Sequence, residues 1–67
     1  MRIAIACSKT WFHLDQKLAN ANIVKYFYTL EELSKKSLDE FQPDLVLFPH
    51  WNWVVPASIY KNFNCIV

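Results

Sequence analysis

The sequence predicts an α/β fold in which a parallel β-sheet is flanked by helices. Short apolar runs rich in β-branched residues alternate with segments whose apolar residues recur at helical spacing, in the order β-α-β-α-β-α-β. The connections between them are short, and no linker, repeat or low-complexity tract interrupts the alternation. Consecutive strands joined by helices favour right-handed crossovers, so we predict one domain built on a parallel sheet.

Composition excludes several classes of protein. The chain is 54% apolar with seven basic and six acidic residues, which is unlike a disordered tail or a polybasic nucleic-acid arm. Its apolar runs fall well short of the roughly 18 residues that a membrane span needs, and the first is too short for a signal peptide. The chain has no glycine, so neither a G-x-G-x-x-G turn nor a G-x-x-x-x-G-K-[ST] phosphate loop exists in it.

The first half of the chain predicts a strand, a helix and a second strand. Residues 1–7 form an isoleucine-rich run typical of a strand buried on both faces. Residues 11–19 follow helical spacing, and the apolar side comprises Trp11, Leu14 and Leu18. Asn20 and Asn22 are expected to close this helix, because asparagine is the best substitute for glycine in a left-handed cap. Residues 23–28 are β-branched and aromatic, which predicts the second strand.

A second helix is expected to begin at Thr29, whose hydroxyl can cap an acidic first turn. We predict that this helix covers residues 30–35, breaks at Ser37 and resumes over residues 38–41.

The remaining segments predict a strand, a loop, a helix and a strand. Residues 44–48 form a third strand of the doubly buried type, and the aromatic, proline-containing residues 49–53 form a loop. Pro56 is expected to be the first residue of a short helix that ends near Asn62. Residues 65–67 begin a fourth strand.

Together these elements predict a three-layer, Rossmann-like parallel sheet with strand order 2-1-3-4 that is incomplete at its C-terminus. The last strand has three apolar residues and nothing after it to cover the sheet. We therefore expect residues 1–67 to be the N-terminal lobe of a longer protein or the product of a truncated reading frame.

Ligands of open parallel sheets bind outside the carboxyl ends of the strands. Residues 8–11, 28–31 and 49–55 follow the first three strands and occupy that edge. The last of these segments places Trp51 and Trp53 in a loop, where they could stack on a flat aromatic ligand while Asn52 supplies hydrogen bonds. The alternative is that the two tryptophans cap the open end of the sheet as part of the core.

Other candidate residues have ordinary structural explanations. His50 could be a general base, but no partner carboxylate is evident, and hydrogen bonding within its own loop is the alternative. Cys7 could be a nucleophile, but we expect both Cys7 and Cys65 to be buried, reduced thiols. Asp44 is interpreted as a cap or turn residue at the opposite edge of the sheet. The solvated face of the first helix is expected to carry His13 and Asp15. No Cys or His pair has zinc-ligand spacing, so no metal site is predicted.

Residues 41–56, with Tyr60 and residues 65–67, resemble the formyltransferase family that uses 10-formyl-tetrahydrofolate. The shared pattern is Pro-Asp followed by a strand, an aromatic loop, two aliphatic residues and a proline, a short helix, and then Cys-Ile. Residues 1–7 fit the first strand of that family, so the resemblance extends over the whole chain, although its specific part is residues 41–67. The middle of the chain is shorter than in typical members.

The resemblance implies a site for the pterin ring of the folate in the loop after the third strand. Carried over by position, the wall of that site comprises Trp51, Asn52, Trp53, Val54 and Val55. The catalytic Asn-x-His of the family begins at the end of the fourth strand, where this chain has Val67. Either this chain represents a branch without that asparagine, or the register differs by one residue. The family's histidine and aspartate would follow Val67.

In relatives, formyl transfer to an amine proceeds with the asparagine and histidine stabilising the tetrahedral oxyanion, while the aspartate assists proton movement. The resemblance thus implies a fragment that uses 10-formyl-tetrahydrofolate and a small-molecule amine, such as an amino sugar nucleotide, and that is inactive alone. The expected reduced state of Cys7 and Cys65 indicates a cytoplasmic protein. No nucleic-acid or membrane partner is expected, and the formyl acceptor and the oligomeric state are not determined by the sequence. The alternatives are a small non-catalytic α/β module that binds a partner through Trp51 and Trp53, and a generic nucleotide-binding half-domain, which the missing glycines disfavour.

Overall fold

The computed structural model describes residues 1–66, which form a four-stranded parallel sheet with one helix between each pair of consecutive strands. The strands are β1 (Arg2–Ala6), β2 (Ile23–Phe27), β3 (Leu45–Leu47) and β4 (Cys65–Ile66), and the helices are α1 (Gln16–Ala21), α2 (Lys35–Phe41) and α3 (Ala57–Tyr60). The strand order is β2-β1-β3-β4, which confirms the predicted Rossmann-like α/β sheet and its order 2-1-3-4. Val67 lies outside the described residues, and so does its predicted match to the family's asparagine.

Strand β1 lies at the centre of the sheet. All five of its residues pair with β2 on one side, and Ile3, Ala4 and Ile5 pair with β3 on the other. Its side chains from Ile3 to Ala6 are buried, as predicted for a strand covered on both faces.

The apolar core consists of two clusters, one on each face of the sheet, because successive strand side chains point to opposite sides. The α2/α3 face is filled by Ala4, Ala6, Phe27, Leu33, Leu38, Val46, Phe48 and Ile59. The α1 face is filled by Ile3, Ile5 and Cys7, with Phe12, Leu14, Val24, Tyr26 and Leu47 packed against them. Helices α2 and α3 cover their face with Leu38 and Ile59, whereas α1 contributes no buried residue.

Strand β3 is less completely buried than predicted. Val46 is buried on the α2/α3 face, but Leu45 and Leu47 are only partly covered on the other. Among the described helices, α1 contacts β2 and leaves the β3–β4 end of its face open.

Helix α1 begins five residues later than predicted. The carboxylate of Asp15 accepts a hydrogen bond from the Lys17 amide at 2.9 Å and caps the helix there. The preceding segment instead packs onto the sheet, and the Leu14 amide donates to the Tyr26 hydroxyl at 2.9 Å. His13 therefore lies in a loop, and Asp15 is a cap rather than part of a solvated helical face.

Residues 30–33 form a turn and not the predicted first part of a broken helix, and the one helix of this segment, α2, begins after Ser34 and continues through Ser37. Thr29 caps a separate turn, because its hydroxyl accepts from the Glu32 amide at 3.1 Å. The Ser34 hydroxyl then accepts from the Ser37 amide at 3.0 Å and starts α2 at Lys35.

The expected left-handed asparagine caps are absent from residues 1–66. Asn22 is extended, and its side-chain amide donates to the Leu18 carbonyl at 2.8 Å, which satisfies the helix end without a left-handed residue. Positive φ angles of 54° occur instead at Gln42, which caps α2, and at His50. Pro56 is the N-cap of α3, so the helix begins at Ala57, one position later than predicted.

Candidate functional site

Two loops meet at the carboxyl edge of the central strands: the first loop (residues 7–15) after β1 and the third loop (residues 48–56) after β3. The Ser8 amide donates to the His50 carbonyl oxygen at 3.2 Å, and the Asn52 amide donates to the Ser8 hydroxyl at 2.9 Å. The two loops are therefore joined directly at the edge where α/β sheets bind ligands.

The third loop carries a pair of perpendicular indoles. The rings of Trp51 and Trp53 have centroids 5.0 Å apart at an interplanar angle of 71°, and Trp51 also meets Phe48 edge to face at 6.0 Å. Edge-to-face contacts of this kind hold aromatic rings in a defined relative orientation. The indole Nε1 of Trp51 is buried and has no hydrogen-bond acceptor within residues 1–66.

The five residues of the predicted pterin wall do not share one environment. Trp51 and Val55 pack against the core of the α2/α3 face, which fits the core alternative. Asn52 is exposed, Trp53 is 40% exposed and Val54 is 88% exposed, so these side chains are available for contact with a ligand.

An apolar cleft of about 250 Å³ opens beside the third loop, at the carboxyl ends of β3 and β4. Its lining residues are Phe12, Leu47, Phe48, Pro49 and Ile66. Leu47 and Ile66 are register partners in parallel strands and therefore lie on the same, α1, face, where Ile66 is 57% exposed. The cleft is suited to an apolar ring.

Of the residues that line this cleft, only Pro49 belongs to a segment that the sequence placed at the ligand edge. The five predicted wall residues are not among them, and the alternation of side chains along β3 and β4 was the only available signal. A larger cavity of about 370 Å³ lies at the opposite, amino edge of the sheet. It is lined by Met1, Arg2, Asn20, Ala21, Asn22 and Ile23.

His50 does not have the surroundings of a general base. Its exposed side chain has no hydrogen-bond partner within the described part of the chain. Its ring instead lies 5.3 Å from that of Trp11 and 6.0 Å from that of Phe12. The hydrogen bond of His50 is made by its backbone carbonyl to Ser8, and not by its imidazole within its own loop as expected.

The two cysteines are free and lie on opposite faces of the sheet. Cys7 is fully buried, as expected, and its Sγ both accepts from the Lys9 amide and donates to the Lys9 carbonyl at 3.4 Å. This arrangement is a structural turn rather than an accessible nucleophile. Cys65 is only partly buried, contrary to expectation, and desolvation raises the pKa of its thiol.

Asp44 lies at the amino edge of the sheet, away from the candidate site, as the sequence predicts. Its carboxylate accepts from the Arg2 amide at 2.8 Å, and its own amide donates to the Arg2 carbonyl at 2.7 Å. Asp44 therefore fixes the start of β1 beside β3.

Residues 1–66 contain no candidate metal centre and no candidate membrane-spanning helix. No group of three or more His, Cys, Asp or Glu side chains in this range could hold a metal ion. None of its helices is long and apolar enough to cross a membrane.

Comparison with known proteins relates the chain to a formyltransferase. No family model matches the sequence, and no curated protein sequence matches it. Methionyl-tRNA formyltransferase from Clostridium thermocellum has a similar structure, with a TM-score of 0.77 and 29% sequence identity. The match covers 97% of this chain and 31% of the other, so the chain spans about a third of the length of that protein. In fold, the chain is thus a formyltransferase-like, Rossmann-like α/β unit.

Proposed function

We propose that this chain is the N-terminal lobe of a formyltransferase and holds 10-formyl-tetrahydrofolate, from which a formyl group passes to an amine. The observation that carries the proposal is the structural similarity to a methionyl-tRNA formyltransferase over 97% of the chain. The sequence pattern of residues 41–67, which includes the third loop, resembles the same family.

The donor's flat pterin ring would lie against the third loop. Trp53 offers an exposed ring whose orientation is fixed by its contact with Trp51, and Asn52 and Val54 are exposed beside it. An indole held in place by a neighbouring ring can stack on a heteroaromatic ligand without losing much conformational entropy on binding. Trp51 and Val55 would support this wall from the core side.

The chain by itself is not expected to catalyse the transfer. Formyl transfer needs groups that stabilise a tetrahedral oxyanion and move a proton. In the described residues, the histidine at this edge is packed against Trp11 and Phe12 and has no carboxylate partner. An amino sugar nucleotide is our candidate acceptor, and the cytoplasm our expected location.

Calorimetric titration of the chain with a folate analogue tests the binding site. We expect saturable binding that Trp53→Ala weakens by about 5- to 150-fold, because base-like rings stacked on an aromatic side chain contribute about 1–3 kcal/mol. Tyr60→Ala is the matched control, since it removes another exposed aromatic side chain from α3 and should leave the affinity unchanged. Absence of binding to the unaltered chain would contradict the proposal.

Incubation with 10-formyl-tetrahydrofolate and a panel of amines tests the absence of activity. We expect no formylated amine by mass spectrometry. Measurable turnover would show that the chain contains a complete catalytic site.

A second candidate function is partner binding without catalysis. The exposed apolar side chains of Trp53 and Val54 favour it, because such groups are common at protein interfaces. It predicts no affinity for the folate analogue, so the same titration separates the two functions.

A further inference from the structure

The third loop is joined to the first loop through the hydrogen bonds of a single residue, Ser8. Within the described residues, two hydrogen bonds join residues 49–55 to the first loop, and Ser8 makes both: His50 O accepts from the Ser8 amide, and the Asn52 amide donates to Ser8 Oγ. Ser8 thus contacts the loop on both sides of Trp51, with its backbone before it and its side chain after it.

The loop needs such support because of its backbone. His50 has φ of 54°, a left-handed conformation that costs an L-residue roughly 1–2 kcal/mol. The conformation persists only where the surroundings hold it. The rings of Trp11 and Phe12 lie against the imidazole, and the Ser8 amide is hydrogen-bonded to the His50 carbonyl, so both contacts support this conformation.

The first loop is fixed more firmly than the third. Cys7 Sγ is bonded to both backbone groups of Lys9, and the Phe12 amide donates to the Lys9 carbonyl at 3.2 Å. Leu14 is tied to the hydroxyl of Tyr26 on β2. Ser8 therefore belongs to a segment anchored to the sheet, from which it can position the middle of the third loop.

We propose that Ser8 is a positioning residue. Its two hydrogen bonds hold the third loop in place and so set the orientation of Trp53 beside Trp51. Its effect on ligand affinity rests on the proposed function, whereas its effect on the loop does not. The hydroxyl is the part of Ser8 that reaches beyond Trp51, because its oxygen accepts from the Asn52 amide at 2.9 Å.

Hydrogen exchange measured by NMR tests, in the unaltered chain, whether Ser8 holds the third loop in place. The Asn52 amide lies in an exposed segment, so protection from exchange requires its bond to Ser8 Oγ. We expect measurable protection, and exchange at the rate of an unstructured peptide would overturn the proposal without any variant.

The variant Ser8→Ala removes the hydroxyl but keeps the backbone bond to His50. Loss of the bond to Asn52 should make the third loop separate from the first loop more often, which also opens the remaining bond to His50. We therefore expect the amide of residue 8 to exchange roughly three- to tenfold faster, as after the loss of one neutral hydrogen bond. Ser8→Thr retains the hydroxyl and should restore the unaltered rate. Ser58→Ala, which removes an exposed serine hydroxyl from α3, is the matched control and should change nothing.

The indole pair provides a spectroscopic signature that a loss of overall stability would not mimic in the folded chain. Two indoles 5.0 Å apart at 71° give an exciton couplet in far-ultraviolet circular dichroism, which Trp53→Phe assigns by abolishing it. We expect Ser8→Ala to reduce the couplet in the absence of urea. A urea unfolding curve of the variant would show that it is folded under these conditions. An unchanged couplet together with unchanged exchange at residue 8 would overturn the proposal.

Titration with the folate analogue separates this inference from the proposed function. We expect Ser8→Ala to bind roughly three- to tenfold more weakly than the unaltered chain. If the unaltered chain binds no analogue, the proposed function fails, and exchange and the couplet still decide the role of Ser8. If both proteins bind equally and the couplet is unchanged, the role of Ser8 fails and the cofactor site stands.

Discussion

Leu38 and Leu18 carry the same side chain in different surroundings. Leu38 on α2 is completely buried on the α2/α3 face, whereas Leu18 on α1 is 52% exposed. Both occupy helices, so helix propensity does not distinguish them. The free energy that each contributes is set by how much of the side chain the fold removes from water.

Substitution of Leu38 by Ala should lower the free energy of unfolding by about 2–5 kcal/mol, because it leaves a cavity in the core. Leu18→Ala is the matched control and should change it by less than about 0.5 kcal/mol. Urea unfolding followed by circular dichroism measures both values. Equal losses in the two variants would show that Leu38 is not a core residue.

Cys65 should titrate at higher pH than an ordinary thiol, since partial burial raises its pKa. We expect alkylation of Cys65 near neutral pH to be slower in the folded chain than in urea-unfolded chain, as peptide mass spectrometry would measure. Because the folded-state pKa is above the unfolded one, the stabilisation from the protonated thiol is present at neutral pH and lost as the pH rises through the alkaline pKa. Faster alkylation in the folded chain would contradict this assignment.

Among the elements, the helices show how a chain without glycine ends its secondary structure. Asn22 and Asn62 use side-chain amides, donating to the carbonyls of Leu18 and Ser58, while α2 ends at Gln42 in the left-handed conformation. The Gln42 amide donates to the Leu38 carbonyl at 2.7 Å, as a left-handed cap requires.

Replacement of Gln42 by Gly should raise the free energy of unfolding by about 0.5–1 kcal/mol. Glycine has no Cβ atom and therefore avoids the steric penalty of the left-handed conformation. This gain in stability exceeds the loss caused by the greater conformational entropy of glycine in the unfolded chain. Gln42→Ala keeps the Cβ atom and should give no such gain. Thermal and urea unfolding of the three proteins would measure the difference, and a destabilised Gln42→Gly would count against the left-handed cap.

At the scale of the whole molecule, the two faces of the sheet are covered unequally. Two helices pack on the α2/α3 face, whereas the α1 face is closed mainly by Phe12 and Leu14 of the first loop. Strand β1 is shared by both clusters, while β4 pairs only with β3 among the described strands. Stability should therefore fall from the centre of the sheet outward.

Hydrogen exchange across the molecule should follow this arrangement. We expect the amides of β1 that bond to neighbouring strands to exchange only through global unfolding, and those of α1 to exchange much faster through local opening, because α1 has no buried residue. Two-dimensional NMR in deuterated solvent gives both sets of rates. Slower exchange in α1 than in β1 would contradict the central role of β1.

The order of strands and helices was determined by the sequence alone, since apolar runs and helical spacing are local patterns that a parallel sheet requires. Local patterns also located the third loop at the ligand edge. The apolar spacing of Trp11, Leu14 and Leu18 nevertheless predicted the wrong start for α1, because packing of Leu14 on the sheet outweighed weak helix propensity.

Only the tertiary structure decided which residues of the candidate site face outward and what holds them. Trp51 and Trp53 have the same side chain two positions apart, but one packs on the core and the other is exposed. The cleft residues Phe12 and Ile66, and the support from Ser8, come from segments far apart in the chain. Contacts between distant segments depend on strand register and loop path, and these follow from packing of the whole chain rather than from any local pattern.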